Sequence, residues 1–200
     1  MKKNQRLATL CVQAGWKPKN GQPRVLPIVQ STTFKYDNSE EMAALFDLKK
    51  EGFFYTRLQN PTTEAVAQKI AALEGGVGCV LTSSGQAANL YAVFNICEAG
   101  GHIVASNEIY GGTYNLFGVT LRKLGVECTF VDPNATEEEL DKAFKPNTRV
   151  MFGETISNPG CQVLDIEKFA RVAHRHGVPL VVDNTFATPI NCRPFEWGAD

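Results

Sequence analysis

Residues able to do chemistry gather where apolar runs end. Thr82-Ser83-Ser84-Gly85-Gln86 closes one such run and leads straight into a helical pattern. A helix starting there offers an anion free backbone N–H groups, two hydroxyls and the positive end of a dipole, and Gly85 permits close approach. Ser84 serves equally well as a plain N-cap. No GxxxxGK(S/T) occurs, and Gly76-Val77-Gly78 precedes an apolar run instead of following one, so a P-loop and a dinucleotide fingerprint both fail. Pro179-Leu180-Val181-Val182-Asp183-Asn184 is sharper. A carboxylate at the end of a fully apolar strand is desolvated unless something cationic meets it. The alternative is a cap for the next segment, or a partner for a nearby Lys or Arg.

Three further groups join these. Tyr55-Thr56-Arg57 lies in irregular chain before Asn60-Pro61, where an arginine fork beside a tyrosine hydroxyl suits a phosphate, or is simply surface. Tyr110-Gly111-Gly112 follows a strand pattern, and its aromatic face could cover a planar ligand or pack on the core. Asn158, in Glu154-Thr155-Ile156-Ser157-Asn158-Pro159-Gly160, offers an amide at another strand end, or an ordinary Asn-Pro turn. Together they ask for one ligand with a phosphate (Tyr55, Arg57, Gly85, Gln86), a planar ring (Tyr110) and a cationic nitrogen (Asp183). Pyridoxal phosphate (PLP) has all three parts, and an aspartate that keeps its pyridine nitrogen protonated makes the ring an electron sink.

No metal site is expected. His174 and His176 are two apart on a helical pattern and point to different faces, and His102 opens a strand without an evident partner. The six cysteines form no CxxC pair, the closest being Cys79 and Cys97, 18 positions apart. That spacing reads as scattered thiols in a reducing compartment.

The elements that must position these residues fall into two textures. Up to residue 75, short helices alternate with irregular chain, an N-terminal arm. Asn38 with Glu41 opens a helix to about Lys50, and Asn60-Pro61 starts one from Pro61 to Glu74, closed by Gly75-Gly76. From 76 to 200, short apolar runs at Gly78–Thr82, His102–Ser106, Val126–Val131, Arg149–Gly153 and Pro179–Asp183 read as buried strands. Helical patterns at Gly85–Cys97, Gly112–Leu124, Thr136–Phe144 and Asp165–His176 separate them. This alternation predicts an α/β domain, a mostly parallel sheet with helices on both faces. Ligands of such sheets bind outside the carboxyl ends of the strands, where the singled-out residues lie.

Composition excludes other classes. The chain has 200 residues, 44% of them hydrophobic, with 20 Lys+Arg against 21 Asp+Glu for a net charge of −1. Nucleic acid and anionic membranes call for a basic excess, so neither is an expected partner. No apolar run approaches the roughly 18 residues of a membrane span. Lys2-Lys3 begins like a signal peptide, but Thr9 and Gln13 interrupt the apolar stretch behind it. The expected compartment is the cytoplasm.

Four motifs then carry a family resemblance. Tyr55-Thr56-Arg57-Leu58-Gln59-Asn60-Pro61-Thr62, Ser83-Ser84-Gly85-Gln86-Ala87-Ala88, Tyr110-Gly111-Gly112-Thr113 and Val181-Val182-Asp183-Asn184-Thr185-Phe186 resemble, in order and spacing, those of the Cys/Met-metabolism family of PLP-dependent enzymes. The resemblance implies an aminotransferase type I-like large domain behind the arm. It implies that Tyr55 and Arg57 bind the phosphate of the neighbouring subunit in a homodimer, usually within a homotetramer. Gly85 and Gln86 would hold the same phosphate through backbone amides, although Gln86 stands where many relatives have methionine. Tyr110 would stack on the ring and assist proton movement, Asp183 would pair with the ring nitrogen, and Asn158 and Thr185 would contact ring substituents.

Within the family, Phe34 to Arg57 and Phe152 to Trp197 are most similar to the O-acetylhomoserine sulfhydrylases, which exchange the acetate of O-acetylhomoserine for sulfide or a thiol, giving homocysteine or methionine. Rival expectations are a C–S lyase acting on methionine or cystathionine, a cystathionine γ-synthase, and, from another class, a non-catalytic scaffold. One feature departs from the family pattern. Lys168 is the last lysine, and it precedes the Asp183 strand. The resemblance puts the Schiff-base lysine beyond Asp200, so residues 1–200 read as roughly half of a family member, unable alone to form that bond.

Overall fold

The computed structural model describes residues 5–200, so Lys2 and Lys3 lie outside the described residues. The chain forms two compact units, Met1–Leu81 and Thr82–Asp200.

The first unit holds α1 (Leu7–Gln13), α2 (Ser39–Phe46) and α3 (Pro61–Glu74). Helix α3 starts and stops at the expected residues, with Pro61 at its first position and Gly75 in the left-handed region at φ 81°. Asn38 caps α2 through the Glu41 N–H, as its spacing predicts. That helix nevertheless ends four residues before Lys50, because Leu48 turns left-handed (φ 57°) and the Lys49 and Lys50 N–H groups fold back onto the Ala44 carbonyl. Asn60 is buried and organises the arm. Its Oδ1 accepts from Thr62 N, while its Nδ2 donates to the Val29 carbonyl at 3.0 Å and to Thr56 Oγ1 at 3.1 Å.

The second unit is a parallel four-stranded sheet in the order β2-β1-β3-β4, with β1 His102–Ser106, β2 Glu127–Val131, β3 Thr148–Glu154 and β4 Leu180–Asp183. Alternate residues face opposite sides. Ile103, Ala105, Val150 and Phe152 pack with Val93, Phe117 and Leu121 on one face. Val104, Met151 and Leu180 pack with Leu140, Phe169 and Ala173 on the other. The first face is covered by α4 (Gly85–Phe94) and by α5 (Gly111–Asn115), which continues through a π turn, Leu116–Thr120, into α6 (Leu121–Lys123). The second is covered by α7 (Glu137–Asp141) and α8 (Ile166–Arg175). This is the expected architecture, and α7 opens with the complete Thr136/Glu139 capping box.

Four of the five expected strands form. Residues 78–82 do not, because a strand exists only by pairing, and no ladder reaches them among the described residues. Val80 there is 87% exposed. His102 does have partners: its Nδ1 meets Thr148 Oγ1 and its Nε2 meets Thr129 Oγ1, each at 2.8 Å, joining β1 to both neighbours. All six cysteines are free thiols.

Candidate cofactor pocket

The strand order turns back between β1 and β3, so the loops leaving these strands part and open a crevice at their carboxyl ends. A cavity of about 320 Å³ occupies that end of the sheet, and every residue lining it belongs to the second unit.

Helix α4 points its start into this cavity. Ser84 caps it by accepting from Ala87 N at 3.1 Å, which leaves the Gly85 and Gln86 N–H groups without an intrahelical partner. The space where a Gly85 side chain would stand is open. One turn further on, buried Asn89 donates from Nδ2 to Asp183 Oδ2 at 3.1 Å and to Thr113 Oγ1 at 3.2 Å. Thr113 also accepts from Gln86 Nε2 at 3.2 Å.

Asp183 ends β4. Its Oδ1 accepts from the Thr185 N–H at 3.0 Å and from the Thr185 hydroxyl. With Asn89 on Oδ2, both carboxylate oxygens are held. Four residues separate Gly85 from Asn89, about 6 Å along the helix axis. An anion-receptive helix start and an oriented carboxylate therefore border the same cavity.

Tyr110 precedes α5, and its ring is half-exposed at the cavity. A Cβ on Gly112 would lie 2.5 Å from Tyr110 Cε1 and 2.7 Å from Gln86 Nε2, so only glycine lets these two side chains converge there. Ile156 and Phe186 add apolar wall, and Asn158 supplies an amide. Glu154 closes β3 beside Asp183, its partner in register. Burial pushes its carboxyl pKa up and the Asp183 charge adds to this, while the Tyr110 and Asn158 N–H groups pull the other way.

The structure thus brings together six of the eight anticipated binding residues: Gly85, Gln86, Tyr110, Asn158, Asp183 and Thr185. Tyr55 and Arg57 belong to the first unit, where Tyr55 bridges to Thr33 and the exposed Arg57 guanidinium lies 5.0 Å from the Tyr55 ring centroid. Three polar lining residues, Ser84, Asn89 and Glu154, lie outside those eight. Asn89 could be found from its place one turn after Gly85 and Gln86 on the same helix face. Glu154 carries the signature of Asp183, a carboxylate closing an apolar run.

Comparison with known proteins bears on what such a pocket holds. The Cys/Met metabolism PLP-dependent enzyme family matches residues 8–200. The chain belongs to this family. It is 50% identical over 177 residues to the O-acetyl-L-homoserine sulfhydrylase of Corynebacterium glutamicum, covering 88% of this chain and 40% of that protein. It is 42% identical over 201 residues to the enzyme of the same name from Leptospira meyeri, covering 100% and 45%. The L-methionine gamma-lyase of Treponema denticola is also 42% identical, over 87% of this chain and 44% of that one. Among solved structures, a Campylobacter jejuni protein assigned as an O-acetylhomoserine (thiol)-lyase superposes with a TM-score of 0.92 at 36% identity, covering 98% of this chain and 48% of that one. That structure carries N'-pyridoxyl-lysine-5'-monophosphate. The chain spans less than half the length of the curated relatives it matches. Among the described residues no helix is long and apolar enough to cross a membrane.

Proposed function

We propose that the protein is a PLP-dependent enzyme that replaces the acetate of O-acetylhomoserine with sulfide or a thiol, giving homocysteine or methionine. The observation that carries the cofactor assignment is the pairing of a free helix start at Gly85–Gln86 with the Asp183 carboxylate in one cavity. PLP has a phosphate for the first and a protonated pyridine nitrogen for the second, and the open space at Gly85 leaves room for phosphate oxygens. Bound there, the cofactor supplies an electron sink for carbanion chemistry.

This chain's own residues bind, orient and hold protons. The Gly85 and Gln86 N–H groups donate to the phosphate. Asp183, kept in place by Asn89 and Thr185, holds the proton on the ring nitrogen. The Tyr110 ring would cover the ring of the cofactor, and its phenol Oη would move a proton near the leaving group. Asn158 and Thr185 meet ring substituents, and Ile156 and Phe186 exclude water from the ring. Tyr55 and Arg57 reach the phosphate of a neighbouring subunit in a homodimer, itself half of a homotetramer. Free thiols throughout fit a cytoplasmic enzyme.

The substrate assignment is supported by the 50% identity to the Corynebacterium sulfhydrylase. A second reading, C–S bond cleavage, is favoured by the Treponema lyase, which matches the Leptospira sulfhydrylase in identity. The protein expressed from its complete gene decides between them. Given O-acetylhomoserine and sulfide, it is expected to release homocysteine and acetate. Ammonia and a 2-oxo acid from methionine without added thiol would replace this reading with the lyase.

A further inference from the structure

Glu154 is a carboxylate with a cost to explain. It ends β3 only 6% exposed, beside Asp183 in register, and no ion pair reaches it among the described residues. A buried charge next to a like charge is unfavourable unless strong donors meet it. One does: Glu154 Oε1 accepts from the Tyr110 backbone N–H at 2.8 Å. That donor belongs to the loop leaving β1, while Glu154 itself ends β3, so the bond spans the crevice where the strand order turns back. Tyr110 also lines the cavity.

A glutamate needed only to end a strand would serve with any donors. This one engages the main chain of Tyr110, a residue that lines the ligand space. We propose that Glu154 is a positioning residue, a bracket between the end of β3 and the β1 loop that sets the Tyr110 ring in place against the cofactor. The proposal rests on the PLP reading of the pocket. Glu154 acts through Tyr110, so its contribution exists only while that side chain is present.

The test is a thermodynamic cycle on PLP affinity, measured by cofactor absorbance and visible circular dichroism after removing and restoring the cofactor in the full-length protein. Glu154→Ala is expected to weaken PLP binding about ten- to a hundredfold, the scale of losing one hydrogen bond to a charged group. Glu154→Gln, which keeps one acceptor oxygen, is expected to cost about three- to tenfold. In a Tyr110→Ala background the same substitutions are expected to change affinity less than about twofold, because the side chain to be positioned is gone. Wild-type affinity in Glu154→Ala overturns the bracket, and so does an equal loss in both backgrounds, which marks a general structural role. If Glu154→Ala does not fold, the Glu154→Gln arm of the cycle decides the same question. A wild-type protein that takes up no PLP overturns the cofactor reading itself, an outcome distinct from a wild type that binds PLP and a Glu154 variant that binds it equally well.

Discussion

Asn89 Nδ2 and Asp183 Oδ2 lie 3.1 Å apart across 94 positions of sequence, so helix α4 holds the carboxylate that ends β4. The same helix presents Gly85 and Gln86 at its start. One element thereby sets the spacing between the anion-receptive and the acidic parts of the pocket.

Asn89→Ala removes this donor and frees one Asp183 oxygen. PLP affinity is expected to fall about tenfold, the scale of one hydrogen bond to a charged group. Asn89→Asp should be worse, because it sets a second carboxylate against the first. A cofactor titration of both variants checks the order. Equal affinities would show that like-charge repulsion at Asp183 is unimportant.

Gly112→Ala separates stability from site geometry. The new Cβ would meet Tyr110 Cε1 at 2.5 Å and Gln86 Nε2 at 2.7 Å, both movable side-chain atoms. Alanine also gains about 1 kcal/mol of helix propensity over glycine, which offsets the crowding. The expected outcome is a melting temperature within a few degrees of wild type and PLP affinity lowered about tenfold as the ring is displaced. Thermal melts alongside cofactor titration test it, and unchanged affinity would remove Tyr110 from the cofactor.

His102 makes the fold acid-sensitive. Burial lowers its pKa below the ordinary 6.5, the Lys145 charge lowers it further, and Glu127 opposes. A histidine with a depressed folded pKa contributes stability that is present above the unfolded value and lost as pH falls through the folded one. Wild-type unfolding free energy is therefore expected to drop from about pH 7 to about pH 5 more steeply than that of His102→Gln. Urea melts across that range measure both slopes. Parallel slopes would show that His102 titrates alike in the folded and unfolded states.

The thiols should separate by reactivity. Burial pushes Cys128 up to about 12, and it raises Cys97 as well, against a smaller pull from Arg149. Cys161 is exposed. Alkylation followed by peptide mapping is expected to label Cys161 early and to reach Cys97 and Cys128 only in denaturant. Early labelling of Cys97 would mean that its face of the sheet opens readily.

Local features were legible in the sequence because the interactions behind them close within a few residues. Pro61 and Gly75 bound α3 through cap geometry, Thr136 and Glu139 exchange hydrogen bonds three positions apart, and Asp183 stands out as a charge ending a fully apolar run. By the same means the sequence determined the α/β alternation and most of the residues at the pocket. Tertiary structure alone decided the rest. Residues 78–82 look like a strand by composition, yet β structure depends on a partner that composition cannot supply. The order β2-β1-β3-β4 opens the crevice, and only across it do Asn89 reach Asp183 and Glu154 reach Tyr110, 44 positions away. A hydrogen bond between distant positions leaves no periodicity or cap in the chain, and it forms only once the sheet has brought its two ends together.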